Sequence, residues 1–130
     1  MRSALGASLK DAGLHSALGL ALIRQKKYAD ALGELRQAAE LAPDNARNAY
    51  VYAVALDSTG HGPEALKLLA KALEKRPDNR EILTALVQMS EQAGDLPAAL
   101  SYAGRLAALS PDDQEITRFV EQLRAQLNGR

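Results

Sequence analysis

The chain has 130 residues, which is enough for one domain with a modest hydrophobic core. Its 16 basic residues balance 16 acidic ones, so the basic surplus typical of a nucleic-acid-binding protein is missing, and the lack of Cys excludes disulfides, thiolate zinc sites and Cys nucleophiles. No stretch approaches the roughly 18 apolar residues that a membrane-spanning helix needs. The sequence therefore predicts a cytoplasmic protein, or a periplasmic one if the chain is part of a secreted parent.

The predicted secondary structure is entirely helical, because no segment alternates apolar and polar residues with period two over a useful length. Residues 1–11 are predicted to be an N-terminal arm or the remnant of a preceding repeat. Seven helices are then predicted in chain order, at about residues 12–25, 28–41, 46–59, 63–75, 80–93, 96–109 and 113–127. Short linkers join them, as is typical of antiparallel neighbours.

A repeat of 34 residues is the strongest pattern in the chain. Three copies of Pro-Asp-(Asn/Asp) have this spacing and begin at Pro43, Pro77 and Pro111. Three Ala residues coincide at the same shift, namely Ala31, Ala65 and Ala99. Each is predicted to lie just inside the second helix of a pair, where two closely packed helices need a small side chain. A period of this length is typical of stacked helix–turn–helix units.

The residues between the predicted helices repeat with the same period. Gly60 and Gly94 are predicted to end helices in the left-handed conformation, and Lys26 occupies the same place in the first copy. Pro63 and Pro97 are predicted to lie in the first turn of the next helix. The Asp residue after each unit-closing Pro is predicted to cap the helix that follows; these residues are Asp44, Asp78 and Asp112.

With these residues, the chain resembles the tetratricopeptide-repeat proteins, with repeats at 12–45, 46–79 and 80–113 and a C-terminal capping helix in 114–130. The family's alternation of large and small residues is present as Leu18-Gly19, Leu22, Ala31, Leu35, Ala38 and Pro43, and the second repeat follows it with Tyr52-Ala53. The third repeat departs from it at Ser90 and Leu106, which suggests a local exchange of volume. The resemblance implies an all-α, right-handed α-solenoid.

The two ends of the predicted array differ. The last helix has an apolar stripe that is predicted to dock on the third repeat as a cap, formed by Ile116, Val120, Leu123 and Leu127. The first helix has no polar helix before it, so its outer face is expected to be uncovered. Weak self-association through the N-terminal end follows as an expectation.

The resemblance also implies a concave face lined by the first helix of each repeat. Its residues in this chain would be Ser16, Leu20, Ile23, Arg24, Arg47, Tyr50, Val54, Asp57, Glu81, Thr84, Gln88 and Glu91. The apolar members, next to Arg24 and Arg47, are suited to an extended peptide or helix with apolar anchors and an acidic flank. The alternative reading is that half of these residues contact an upstream repeat or the cap.

The predicted function is protein–protein interaction, with no enzymatic activity, cofactor, metal, nucleic acid or membrane. The two His residues, His15 and His61, lie far apart, and no nucleophile elbow or phosphate-binding loop occurs. One subfamily clamps the C-terminal carboxylate of heat-shock chaperones with Lys, Asn and Arg, but the corresponding positions here read Ser16, Leu20, Val51, Glu81 and Ala85. The sequence also allows a structural or oligomerisation segment, or a fragment of a larger protein such as a bacterial multidomain protein.

Overall fold

The structure, a computed structural model, describes the backbone of residues 4–129 and the side chains of residues 11–129. Over that range the chain is all helical, with α1 (Ala4–Arg24), α2 (Tyr28–Leu41), α3 (Ala46–Ser58), α4 (Gly62–Lys75), α5 (Arg80–Gln92), α6 (Leu96–Leu109) and α7 (Gln114–Asn128). The predicted fold class and helix order are therefore confirmed.

The helices form two compact units, Met1–Leu68 and Leu69–Arg130, and the boundary falls inside α4. In the first unit α2 packs against both α1 and α3. A cluster of Leu35, Val51 and Ala55 forms part of its core, with Ile23 and Tyr50 packed against it. In the second unit α6 packs against both α5 and α7.

Helix α1 begins at Ala4, so the predicted start near residue 12 is wrong. The segment from Ala4 to Asp11 contains Ala, Leu and Lys, which favour helix, and it has no Pro to stop one. Helix α1 therefore continues without a break through the boundary predicted at residue 11. Residues 1–3 of the predicted arm lie outside the described range, and the division of the chain into repeats stays a prediction.

The predicted helix caps are displaced by one residue. Helices α3, α5 and α7 begin one residue later than an Asp44, Asp78 or Asp112 cap requires, so the capping side chains are Asn45, Asn79 and Asp113. The Asn45 Oδ1 accepts a hydrogen bond from the Asn48 amide at 3.1 Å, and the Asn79 Oδ1 accepts one from the Ile82 amide at 2.9 Å. The third residue of each Pro-Asp-(Asn/Asp) tripeptide thus satisfies the open amides of the helix start.

The small residues predicted at helix contacts are buried. Ala31, Ala65 and Ala99 are 1%, 0% and 0% exposed, as their spacing predicts. Helix α1 closely approaches α2 at Gly19, where a Cβ atom would lie 2.6 Å from two side-chain carbons of Leu35. Absence of a side chain there lets the two helices pack together.

Three turns between helices use the left-handed backbone conformation. Gly60 and Gly94 have φ angles of 87° and 78°, as predicted, and Lys26 has a φ of 63° at the equivalent position of the first copy. A side chain is strained in this conformation, whereas glycine is not. Pro63 and Pro97 follow within the first turns of α4 and α6, in agreement with the sequence prediction.

Two residues of α1 have surroundings that their repeat position alone does not explain. Leu18, a large residue of the repeat pattern, is 48% exposed, whereas Leu86, which stands two repeat periods later, is fully buried. The equivalent residue of α3, Tyr52, packs against the core cluster that contains Leu35 of α2, whereas Leu18 and Leu14 of α1 are both exposed among the side chains described. His15 is half-buried and forms a hydrogen bond with Glu34 of α2.

Helix α7 packs on α6 through its apolar stripe. Val120 and Leu123 are buried in one cluster with Ala99 and Ala103 of α6, and Leu127 packs at its edge. The Asp113 cap fixes the start of the helix by accepting hydrogen bonds from two amides. None of the helices in residues 4–129 is long and apolar enough to cross a membrane.

Candidate functional site

The candidate site is a pocket of about 280 Å³ in the first unit, formed by the C-terminal half of α1, the first residue of α2 and the length of α3. We refer to it as the α1–α3 pocket. Its nine lining residues are Leu20, Ile23, Tyr28, Arg47, Tyr50, Val51, Val54, Ala55 and Ser58. Most of these side chains are apolar or aromatic, and Arg47 is the single charged one.

The α1–α3 pocket brings together five of the twelve residues predicted for the concave face. They are Leu20, Ile23, Arg47, Tyr50 and Val54. Helix geometry explains this, because Arg47, Tyr50 and Val54 are three and four residues apart and share one face of α3. The apolar patch predicted from the sequence is therefore a single concave surface within the first unit.

The other seven predicted residues lie outside this pocket. Ser16 and Asp57 are half-buried, and Arg24 is exposed at the last turn of α1. Four residues of α5 belong to the second unit and are all exposed, namely Glu81, Thr84, Gln88 and Glu91. Their spacing places these four on one face of α5, which is polar along its length.

Sequence reasoning missed four residues of the α1–α3 pocket. Val51 and Ala55 are 8% and 6% exposed and belong to the core cluster under the pocket, so they line its floor. Tyr28 begins α2, and Ser58 ends α3. The one sequence feature that could have indicated the pocket was Tyr28. It is a large aromatic residue directly after a turn, whereas Gly62 occupies the equivalent position of the second repeat.

Exposed apolar side chains are concentrated at this pocket. Among the side chains described, five large hydrophobic ones are exposed, and three of them line the pocket: Leu20 (39%), Tyr28 (44%) and Val54 (38%). The other two are Leu14 and Leu18 on α1. Scattered exposed apolar residues are ordinary on protein surfaces, but a concave group of them marks a contact surface.

The charges around the pocket are mainly positive. The Arg47 guanidinium lies over the ring of Tyr50, 5.4 Å from its centroid, in a cation–π arrangement. Arg24, Lys26 and Lys27 are exposed in the segment between the lining residues Ile23 and Tyr28. The positive φ of Lys26 shapes the turn that places Tyr28 at the pocket.

Tyr52 lies on the opposite side of α3 and packs against the core cluster beneath the pocket. Burial raises the pKa of its phenol above the ordinary value, while the nearby positive charge of Arg36 opposes that shift. Arg36 itself donates a hydrogen bond to Glu40 at 3.0 Å, and this interaction raises the pKa of its guanidinium. The phenol of Tyr52 is therefore neutral at physiological pH and contributes packing rather than charge.

In the part of the chain whose side chains are described, no three His, Cys, Asp or Glu residues come close enough to hold a metal ion. His15 contacts Glu34, and His61 accepts or donates a hydrogen bond with Thr59 in the α3–α4 turn. Of the positions compared with the chaperone-tail clamp, Val51 and Ala85 are buried, and Leu20 lines the apolar pocket.

Comparison with solved structures finds the same fold in several proteins. The first TPR of Spaghetti (RPAP3), bound to the HSP90 peptide SRMEEVD, matches 92% of this chain and 95% of its own length, with a TM-score of 0.78 and 17% identity. The Sgt2 TPR domain from Aspergillus fumigatus matches 90% of this chain and 79% of its own, with a TM-score of 0.74 and 18% identity. A single-residue mutant of MamA matches 82% and 77%, with a TM-score of 0.67 and 28% identity.

Sequence comparison leads to the same fold. No curated protein sequence gives a significant match to this chain. A family model described as tetratricopeptide repeat matches residues 22–89, which is just over half of the 130 residues. The chain therefore belongs to the tetratricopeptide-repeat family.

Proposed function

We propose that this chain is a protein-interaction module that binds a peptide or helix of a partner protein through the first helices of its repeats. The observation that carries the proposal is the α1–α3 pocket, where exposed apolar side chains of α1, α2 and α3 converge beside Arg47. A surface of this kind buries apolar side chains of a partner and leaves a polar rim. The first TPR of Spaghetti (RPAP3), which shares the fold, is bound to a peptide in its structure, and this supports the same class of partner here.

Isotope-labelled protein titrated with candidate partner peptides would test this function by NMR. The expected result is that amide shifts cluster on α1 and α3 around the pocket. Shifts confined to α2, α4 and α6 would contradict the proposal, because those helices contribute only Tyr28 to the predicted binding surface. A partner that contains an HSP90-type terminal carboxylate is not expected to bind tightly, since Ser16 and Leu20 occupy positions where that clamp needs cations or an amide.

The second candidate function is a structural or oligomerisation role. It is favoured by Leu14 and Leu18, which are 63% and 48% exposed on one face of α1. Two copies joined through this face would bury both residues. Light scattering over a range of concentrations, on the unchanged chain and on a Leu14→Glu/Leu18→Glu variant, distinguishes the two roles. A tight oligomer that the double substitution dissociates would favour the structural role, whereas a monomer that retains peptide binding would favour the interaction module.

A further inference from the structure

The charge around the α1–α3 pocket differs from that of the chain as a whole. Six charged residues either line the pocket or lie within two positions of a lining residue in the sequence. Four are cations (Arg24, Lys26, Lys27 and Arg47) and two are carboxylates (Asp30 and Asp57). The whole chain has a formal net charge of zero. An excess of two positive charges is therefore concentrated at the pocket.

The size of the pocket limits what it can hold. Small-molecule sites generally occupy roughly 300–1,000 Å³, and this pocket has about 280 Å³ with one side open to solvent along exposed Leu20, Tyr28 and Val54. A cavity of roughly 150 Å³ binds benzene, so this pocket has room for a bulky apolar side chain such as Phe or Trp. A drug-sized ligand or a whole amphipathic helix would extend beyond it.

We propose that the α1–α3 pocket takes one bulky apolar side chain from a partner segment whose neighbouring residues are Asp or Glu. This inference rests on the proposed interaction function and specifies the partner's chemistry. The apolar side chain rests on the floor of Val51 and Ala55, between Tyr28 and Val54. The flanking carboxylates lie against the basic segment 24–27 and against Arg47, whose guanidinium is already placed over the Tyr50 ring.

The apolar anchor and the charges contribute in different ways. A buried aromatic or aliphatic anchor supplies most of the affinity of a small interface. Exposed charges at its rim mainly accelerate association and are screened by salt, since the Debye length is about 8 Å at physiological ionic strength. Loss of the anchor is therefore expected to weaken binding more than loss of one cation.

Recognition of this kind does not need a free C-terminal carboxylate. The pocket rim can pair with side-chain carboxylates inside a chain, because its cations stand at the edge rather than at the floor. A peptide amidated at its C-terminus should consequently bind as well as one with a free terminus. This distinguishes the proposed mode from the capture of a chaperone tail.

Three amidated pentapeptides provide the first test, with NMR titration to measure affinity and locate the contact. The probe is Asp-Glu-Phe-Glu-Asp, and its matched controls are Asp-Glu-Ala-Glu-Asp and Lys-Lys-Phe-Lys-Lys. The Phe-containing acidic peptide should bind about tenfold or more tightly than either control and shift the amides of Tyr50 and Val54. Equal affinity for the Ala peptide would overturn the anchor, and equal affinity for the basic peptide would overturn the charge assignment.

Variants of exposed residues provide the second test. Val54→Glu places a carboxylate on the pocket wall and should weaken binding of the acidic Phe peptide at least tenfold. Arg47→Glu and Lys27→Glu should each weaken it several-fold and reduce its salt dependence. Lys67→Glu makes the same charge change at an exposed residue of α4 that does not line the pocket, so its affinity should match that of the unchanged chain. Circular dichroism of each variant would check that the helices remain folded. An equal loss of peptide affinity in Lys67→Glu would contradict the inference.

Failure of this inference differs from failure of the proposed function. If the pentapeptides do not bind but a natural partner shifts the amides of α1 and α3, the partner chemistry inferred for the pocket is wrong and the interaction function stands. If the natural partner also leaves those amides unshifted, both proposals fail.

Discussion

Gly19→Ala tests the close packing of α1 on α2 with a single methyl group. A Cβ at position 19 would lie 2.6 Å from both Cγ and Cδ2 of Leu35, and 3.4 Å from the carbonyl oxygen of Ala31. Leu35 and Ala31 are each only 1% exposed, so neither has open space into which it can move. The methyl group must therefore push the helices apart or force Leu35 into another rotamer.

The expected magnitude is the balance of two effects. Replacing Gly by Ala inside a helix stabilises it by about 1 kcal/mol, whereas overpacking a core contact destabilises by about 1–3 kcal/mol. The net expectation for Gly19→Ala is a loss of about 0–2 kcal/mol. Gly33→Ala is the matched control, because Gly33 is exposed within α2 and a Cβ there would meet no atom within 4 Å. That control should gain up to about 1 kcal/mol.

Urea unfolding measures the difference between the two variants directly. For a slope of about 2 kcal/mol per molar urea, a difference of about 1–3 kcal/mol separates the midpoints by roughly 0.5–1.5 M. The control should unfold at a higher urea concentration than the unchanged chain, and Gly19→Ala at an equal or lower one. If both substitutions raised the midpoint equally, the close approach of α1 and α2 at Gly19 would be refuted.

Four further changes test individual parts of the fold. Lys26→Gly should stabilise the chain by about 0.5–1 kcal/mol, since glycine relieves the positive φ; an unchanged thermal midpoint would argue against that strain. Asn79→Ala should destabilise by about 1 kcal/mol by removing the α5 cap, while Asp78→Ala should have little effect, and the reverse order in urea would show that the cap is misplaced. Ala65→Leu should destabilise by about 1–3 kcal/mol through overpacking, and a neutral result would mean that α4 has room there. Burial raises the pKa of Tyr52 in the folded state, so stability is fully retained below the ordinary tyrosine pKa of about 10 and falls as pH rises above that value, because ionisation of the phenol then favours the unfolded chain; Tyr52→Phe should show a smaller alkaline decline in urea midpoints, and an equal decline in both proteins would contradict this reasoning.

Features that depend on local geometry could be predicted from the sequence. The 34-residue period placed Ala31, Ala65 and Ala99 at buried helix contacts. The positive φ angles of Gly60 and Gly94 followed from their positions after apolar helical stretches. The helix contacts need a small side chain, and the turns need a residue without a Cβ. Each of these needs applies to a single position, and that position recurs in every repeat.

Features that depend on a neighbouring element could not be predicted in the same way. Leu18 aligns with buried Leu86, yet it is exposed, because burial depends on which helix covers the face and not on the repeat position alone. The cap positions were displaced because Asp and Asn are both good caps, and the choice between Asp78 and Asn79 depends on where the helix begins. Repeat alignment could not distinguish between these adjacent residues.

The candidate pocket also contains some residues that the sequence could predict and others that depend on a neighbouring helix. Leu20, Ile23, Tyr50 and Val54 were predicted because they lie on the outward faces of two first helices. Tyr28 was missed because it belongs to the second helix of its pair, whereas the predicted surface was limited to first helices. Alignment of the repeats shows which residues occupy equivalent positions, but it does not show which residues of different helices meet at one pocket. Convergence of α1, α2 and α3 at one point is a property of the packed unit and required the structure.

Site-specific photo-crosslinking to the natural partner tests the central claim, that the α1–α3 pocket is the contact surface. A photoreactive amino acid would be placed at position 54, inside the pocket, and in a second variant at position 67, on an exposed turn of α4 outside it. Position 54 is expected to form a crosslinked product with the partner in extracts of the source organism, and position 67 is not. A product from position 67 alone, or equal products from both positions, would contradict it.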